Sequence, residues 1–290
     1  ARASAIGRLG PFLSPKSLAV IAQALKDSDA KVRMGAIAAL ANAGPLARLT
    51  LLSPLLADEA RIVRMDAARG LAGGPEQHLS SEDRTRFENA IAEYIAGQRF
   101  NAERPEAQVN LANLYLARGQ GGEAEAALLR AIEIDPSFVP APITLAELRR
   151  SQGQETSAEA TLRNALERNP NSAPLLHALG LSLVRQKRTE EAVKSLREAA
   201  QLAPETPRFA YVAAVALHDT GKPTEATQVL VAALDHHPYD RQVLYALTSY
   251  ELQSGQFESA LSHANLLHEL EPEDQQVDRL VATIHQSMGK

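Results

Sequence analysis

Five prolines, Pro136, Pro170, Pro204, Pro238 and Pro272, follow one another at intervals of 34 residues without a slip. A fixed step of that length marks a chain made of equal structural units, each a small supersecondary motif that must stack on its neighbours. With each proline as the thirty-second residue, units begin at 105, 139, 173, 207 and 241. Ala124, Ala158, Ala192, Ala226 and Ala260 keep the same step, as do Leu111, Leu145, Leu179, Ala213 and Leu247. A third series, Gly119, Gly153, Lys187, Gly221 and Gly255, places one turn inside every unit, and Gly289 falls on the same register.

The pattern within a unit reads as two helices. The first runs from the unit start to the glycine, a residue suited to the left-handed conformation that ends a helix. The second is closed by the proline, which cannot continue a hydrogen-bonded helix. Ala112, Ala146, Gly180 and Ala214 are small where the two helices would cross. Ala124 and its equivalents, with Ala131, Ala165, Ala199 and Ala233, are small on the second helix. Leu128, Leu162, Leu196 and Leu230 supply the larger side chains between them. Pro140, Pro142 and Pro174 fall in first turns, where a missing N–H costs little.

These features resemble the tetratricopeptide repeat family. The resemblance covers residues 105–272 in five units, and a sixth first helix at 275–288, within a segment 273–290, reads as a cap with polar Gln275, Gln276, Asp278, Arg279 and Gln286. The aromatic usual at the fourth position is replaced by Gln108, Pro142, Leu176, Ala210 and Leu244.

Residues 1–74 follow another period. Arg2, Arg33 and Arg64 are 31 apart, as are Ile6, Ile37 and Ala68, and Leu9, Leu40 and Leu71. Val32-Arg33 and Val63-Arg64 follow turns containing Asp27, Asp29, Asp58 and Glu59. This segment resembles HEAT-like repeats. On that register residue 1 opens a second helix whose partner is missing, so the chain reads as part of a longer protein, and a homodimer could form across the apolar surface left there. Between the arrays, at 75–104, Gly73-Gly74-Pro75 breaks the last HEAT-like helix and Ser80 with Asp83 forms a capping box. From Ser81 to about Gly97, Phe87, Ile91, Tyr94 and Ile95 recur at helical spacing, giving a bridging helix that packs on both arrays. The expected fold is therefore all-α, a right-handed helical-repeat superhelix of HEAT-like repeats followed by a tetratricopeptide solenoid.

Chemistry is harder to find. The chain contains no cysteine, which removes disulfides, thiolate catalysis, cysteine–zinc sites and covalently attached haem. No apolar run approaches the roughly 18 residues of a membrane helix, so no membrane insertion is expected. Of the eight histidines, His236 and His237 are adjacent and His263 and His268 are five apart, neither a spacing for paired metal ligands; they read as solvated or capping residues. Gly119, Gly121 and Gly122 belong to a helix turn rather than a phosphate-binding loop, and no nucleophile elbow or kinase signature occurs. The expectation is a chain that is not an enzyme and has no cofactor or metal.

Binding is better supported. The family resemblance implies that positions 2, 5, 9 and 12 of each first helix line a concave groove. Here those positions and their neighbours give Asn113, Glu147, Arg150, His177, Arg185, Arg208, Tyr211, His218, Tyr245 and Ser249, and position 5, which reads Val109, Ile143, His177, Tyr211 and Tyr245, turns from apolar to aromatic along the chain. Such a groove suits an extended peptide or an amphipathic helix of a protein partner. Asn113 matches the Lys/Asn clamp of domains that hold chaperone C-termini, but Val109 stands where its first lysine belongs, which argues against that ligand. The same tyrosines could instead simply pack between units.

Two rival readings follow from charge and context. Residues 1–74 hold ten Lys/Arg and five Asp/Glu, which would suit nucleic acid, except that Arg33 and Arg64 are register residues expected to pair with turn acids such as Asp29 and Asp58. The stretch from Tyr94 to Pro105, with His177 to Gly180 and Ala213 to Gly221, is similar to the C-terminal portion of large bacterial proteins that carry multihaem cytochrome c modules. That resemblance implies an exported, periplasmic parent, in which this segment positions an upstream catalytic or electron-transfer domain and holds no haem itself; without it a cytoplasmic location is expected.

Overall fold

A computed structural model describes residues 1–74 and 76–289, apart from the Gln77 side chain; the break read at Pro75 lies outside the described residues. Every regular element among the described residues is helical, and the chain divides into two compact units, Ala1–Asp135 and Pro136–Lys290.

The first unit begins with the 31-residue pattern. Helices α1 (Arg2–Gly7), α3 (Ala30–Ala39) and α5 (Arg61–Leu71) carry the register residues, with α2 (Pro15–Ala24) and α4 (Pro45–Leu52) between them. α1 packs on α3 and α3 on α5, so the register helices form one layer. Ala36, Ala39, Val63, Ala67 and Ala68 are wholly or almost wholly buried there, and their small size lets the backbones approach. Ionic rungs join successive repeats. Arg2 reaches Asp27 at 3.0 Å. Arg33 donates to Asp58 at 2.8 Å and also to the carbonyls of Asp27 and Ser28. Arg64 holds the carbonyls of Asp58 and Glu59 in the same way, but its carboxylate partner is Glu93, at 3.0 and 3.2 Å. The expected ionic partners Asp29 and Asp58 are thus shifted by one repeat. Each arginine clamps its own turn through backbone oxygens and spends its charge on the next element.

Glu93 lies on α6 (Ser81–Phe100), three residues longer than its apolar spacing suggested. Its start is capped by Ser80, whose hydroxyl accepts from the Asp83 N–H at 3.1 Å; the Asp83 carboxylate takes the hydroxyl hydrogen rather than the Ser80 backbone N–H, so the box is half formed. α6 packs on α5 and on α7 (Pro105–Ala117), which pairs with α8 (Gly121–Ile134). Phe87, Ala90 and Ile91 are buried in one cluster with residues of α3 and α5. Gly73, at φ +70°, meets α7 so closely that a Cβ there would stand 2.2 Å from the Ala117 carbonyl oxygen. Within this unit Leu114 of α7 joins the hydrophobic core formed by the preceding helices.

The second unit repeats the helix pair: α9 (Pro140–Ser151) with α10 (Glu155–Arg168), α11 (Ala173–Arg185) with α12 (Thr189–Leu202), α13 (Pro207–Asp219) with α14 (Pro223–His236), and α15 (Arg241–Gln253) with α16 (Phe257–Leu270). α17 (Gln275–Met288) packs on α16. The periodic small residues sit in the crossings: Ala158, Ala192, Ala226 and Ala260 are at most 1% exposed, and Leu162, Leu196 and Leu230 at most 2%. At Gly180 the helices approach until a Cβ would lie 2.5 Å from Leu196 Cγ. Every internal turn uses a left-handed residue, with φ of 71–76° at Gly119, Gly153, Gly221 and Gly255 and 59° at Lys187.

Candidate partner-binding site

The ten residues read from the groove pattern do not share one environment. Asn113 is exposed on α7 of the first unit; the other nine belong to the second unit. On α9, Glu147 and Arg150 are exposed and bonded to each other at 2.8 Å. Arg185, at the end of α11, grips the Glu155 carboxylate, which also accepts the Ser182 hydroxyl at 2.6 Å. Burial pushes the Glu155 carboxyl up, but the Ser182 and Arg185 hydrogen bonds outweigh it and hold it below the usual range. These three charged residues therefore have structural partners of their own.

His177 departs furthest from the expectation. It is buried, with its ring stacked on Phe209 at 4.5 Å. Burial, and secondarily the positive charge of Arg208, lower its pKa to about 4, so it is neutral at pH 7. Its Nδ1 is buried without a hydrogen-bond partner. His218 is likewise stacked, on Tyr250 at 4.1 Å, while its Nε2 lies 2.9 Å from Gln253 Oε1. Ser249 turns its hydroxyl back onto the Tyr245 carbonyl, a common resolution for a helical serine. Arg208 is exposed at the start of α13 and makes no ion pair among the described residues.

Two of the expected residues do come together. Tyr211 on α13 and Tyr245 on α15, one period apart, wall a single cleft of about 610 Å³. Tyr211 packs partly into the core beneath it, while Tyr245 remains 42% exposed. Tyr239, 65% exposed, forms a third aromatic wall. Arg241, Gln242 and Gln276 line the cleft with Asp240, Glu271 and Asp274. The groove pattern does not include Tyr239, because it lies outside the first helix. Its signal is a departure from the repeat: the residue after each period proline is Ser137, Asn171, Glu205 and Glu273, and only here an aromatic. Phe209 and Tyr250 are also absent from the pattern, being at positions that other units fill with aliphatic or small residues.

The remaining histidines do not behave as solvated groups throughout. His263 Nδ1 lies 2.8 Å from the buried Glu251 carboxylate, and His268 Nδ1 lies 3.1 Å from Asp278. His236 is exposed, and His237 ends α14 as its cap residue. No group of three His, Asp or Glu among the described residues is placed to hold a metal ion. No described helix is long and apolar enough to cross a membrane.

Comparison with known proteins agrees with this architecture. Residues 1–72 match the family model for HEAT repeats, residues 82–137 that for the tetratricopeptide repeat, and residues 151–233 that for anaphase-promoting complex, cyclosome, subunit 3. No curated protein sequence matches the chain significantly. Among solved structures, the chain is similar to pilF of Pseudomonas aeruginosa, at 25% identity and a TM-score of 0.52, over 67% of this chain and 88% of that one. It is similar in fold to a tetratricopeptide repeat protein from Parabacteroides merdae, at 18% identity and a TM-score of 0.50, over 64% and 74% of the two chains. The APC/C hetero-tetramer Cut9–Hcn1 gives 15% identity and a TM-score of 0.50, over 93% of this chain and 52% of that one.

Proposed function

We propose that this chain, a protein of HEAT and tetratricopeptide repeats, holds an extended segment of a partner protein against the first helices of its second unit, in the cleft walled by Tyr211 and Tyr245. Repeat families of this kind are protein–protein interaction scaffolds, typically non-catalytic, and that much follows from the family matches and the fold. The observation that carries the finer reading is the meeting of two groove-pattern tyrosines, from successive helix pairs, in one open cleft. Tyrosine gives large contact area at low entropic cost and a hydroxyl that stays wetted at the rim, which is why it is enriched where proteins bind. On one side, His177 of α11 stacks on Phe209 of α13, which braces the helix that carries Tyr211. A rigid wall lowers the ordering cost of binding.

Within a longer parent, the partner segment could belong to the same chain and serve to position an upstream domain; the groove chemistry is the same in either case. Nucleic-acid binding through residues 1–74 is less well supported, since Arg33 and Arg64 spend their charge on Asp58 and Glu93. A photo-crosslinking side chain at position 245, compared with one at Gln228 on α14, tests the proposal. Crosslinks to a partner from 245 alone are expected; crosslinks from 228 alone would move the interface to another face of the unit.

A further inference from the structure

The cleft combines aromatic walls with unbalanced negative charge. Of its four charged residues, Arg241 is ion-paired to Glu271. That leaves Asp240 and Asp274. Each uses Oδ1 to cap a helix, Asp240 accepting from the Val243 N–H at 3.0 Å and Asp274 from the Gln276 N–H at 2.8 Å. Neither Oδ2 accepts a hydrogen bond among the described residues. Among the described residues, Arg241 is the one cation that lines the cleft. The surrounding sequence has the same sign, with eight Asp/Glu against three Lys/Arg from 239 to 290.

We infer that this cleft selects a basic segment, taking an arginine or lysine side chain of the partner between the rings of Tyr211, Tyr239 and Tyr245 and pairing its charge with Asp240 and Asp274. The inference rests on the groove reading above and adds the chemistry of the ligand. A tyrosine face attracts a cation through its quadrupole, the more strongly the more the pair is desolvated. A guanidinium can also stack flat on a ring while donating to a carboxylate at its edge. An acidic segment finds no such match: its charge would face Asp240 and Asp274, and the one arginine in the cleft is already committed to Glu271.

Fluorescence anisotropy with the full chain and labelled peptides of about a dozen residues, identical except for carrying arginine, citrulline or glutamate, reads this out. The arginine peptide is expected to bind at least about tenfold more tightly than the citrulline peptide, with the glutamate peptide weakest and the preference falling as salt rises. Asp240→Asn with Asp274→Asn removes the charge but keeps the helix caps, because asparagine caps as well as aspartate; it should erase the arginine preference without changing the melting temperature. Equal binding of arginine and citrulline peptides, both lost in Tyr211→Ala with Tyr245→Ala, would overturn the charge selection and leave the groove reading standing. Binding of none of the peptides, or binding unaffected by the tyrosine substitutions, would overturn both.

Discussion

Lys187→Gly should make the protein more stable, although it deletes a charged side chain from a helix turn. The other internal turns place glycine at this position with φ of 71–76°, and Lys187 is forced to 59°. A left-handed conformation costs an L-residue with a Cβ roughly 1–2 kcal/mol, while glycine's freedom in the unfolded chain costs about 0.5–1 kcal/mol. The difference favours glycine by about 0.5–1 kcal/mol. Nothing offsets it, since the Lys187 ammonium makes no hydrogen bond or ion pair among the described residues. The reverse substitution isolates the same strain: a Cβ added at Gly153 or Gly221 meets no atom within 4 Å, so Gly153→Ala should cost about 1 kcal/mol through backbone conformation alone. Gly180→Ala provides the contrast. Helix propensity favours alanine by up to about 1 kcal/mol, yet the new Cβ would stand 2.5 Å from Leu196 Cγ, and overpacking of about 1–3 kcal/mol should win. Urea unfolding followed by far-ultraviolet circular dichroism ranks the four proteins by midpoint. A lower midpoint for Lys187→Gly, or a neutral Gly180→Ala, would refute the reasoning.

Ala192→Leu enlarges a side chain with no exposed surface at a helix crossing and should cost roughly 1–3 kcal/mol; a neutral midpoint would undo the repeat register. Asp58→Ala leaves the Arg33 guanidinium, raised in pKa chiefly by its hydrogen bond to Asp58, with only the Asp27 and Ser28 carbonyls; with both side chains 8% exposed, the loss should be about 1–3 kcal/mol, and an unchanged melting temperature would argue against a structural rung. His177 has a folded pKa of about 4, below its ordinary 6.5, so the unfolded chain takes up the proton first as pH falls. Its contribution is whole above about pH 6.5 and is lost as pH drops toward 4; in His177→Leu that part of the pH dependence of the urea midpoint should vanish, and its persistence would assign it to another group.

Most of the fold is legible in the sequence because repeats write the same physics many times. The period prolines end the second helices, the glycine series supplies the left-handed turns, and the alanines mark crossings that are buried in the structure. One departure, Lys187, is legible as a position but not as strain, since only the backbone angle shows what the turn demands of it. The ionic rungs are half legible: Arg33 and Arg64 announce paired roles, but the pairing crosses to the next element, so Glu93 on α6 could not be matched to Arg64 from a 31-residue register. In the site, position alone does not distinguish a groove side chain from a packed one. His177 and Tyr245 occupy the same repeat position, yet Phe209 covers the first, while the second stands open in a cleft. Neighbouring units decide that difference, and it depends on side-chain volumes that vary from one repeat to the next.

The central claim concerns Tyr211 and Tyr245, and affinity capture with the wild-type chain beside the Tyr211→Ala, Tyr245→Ala double variant tests it most directly. A partner protein retained by the wild type and lost by the variant, with helicity unchanged, is the predicted result. Retention of the same proteins by both chains would contradict it.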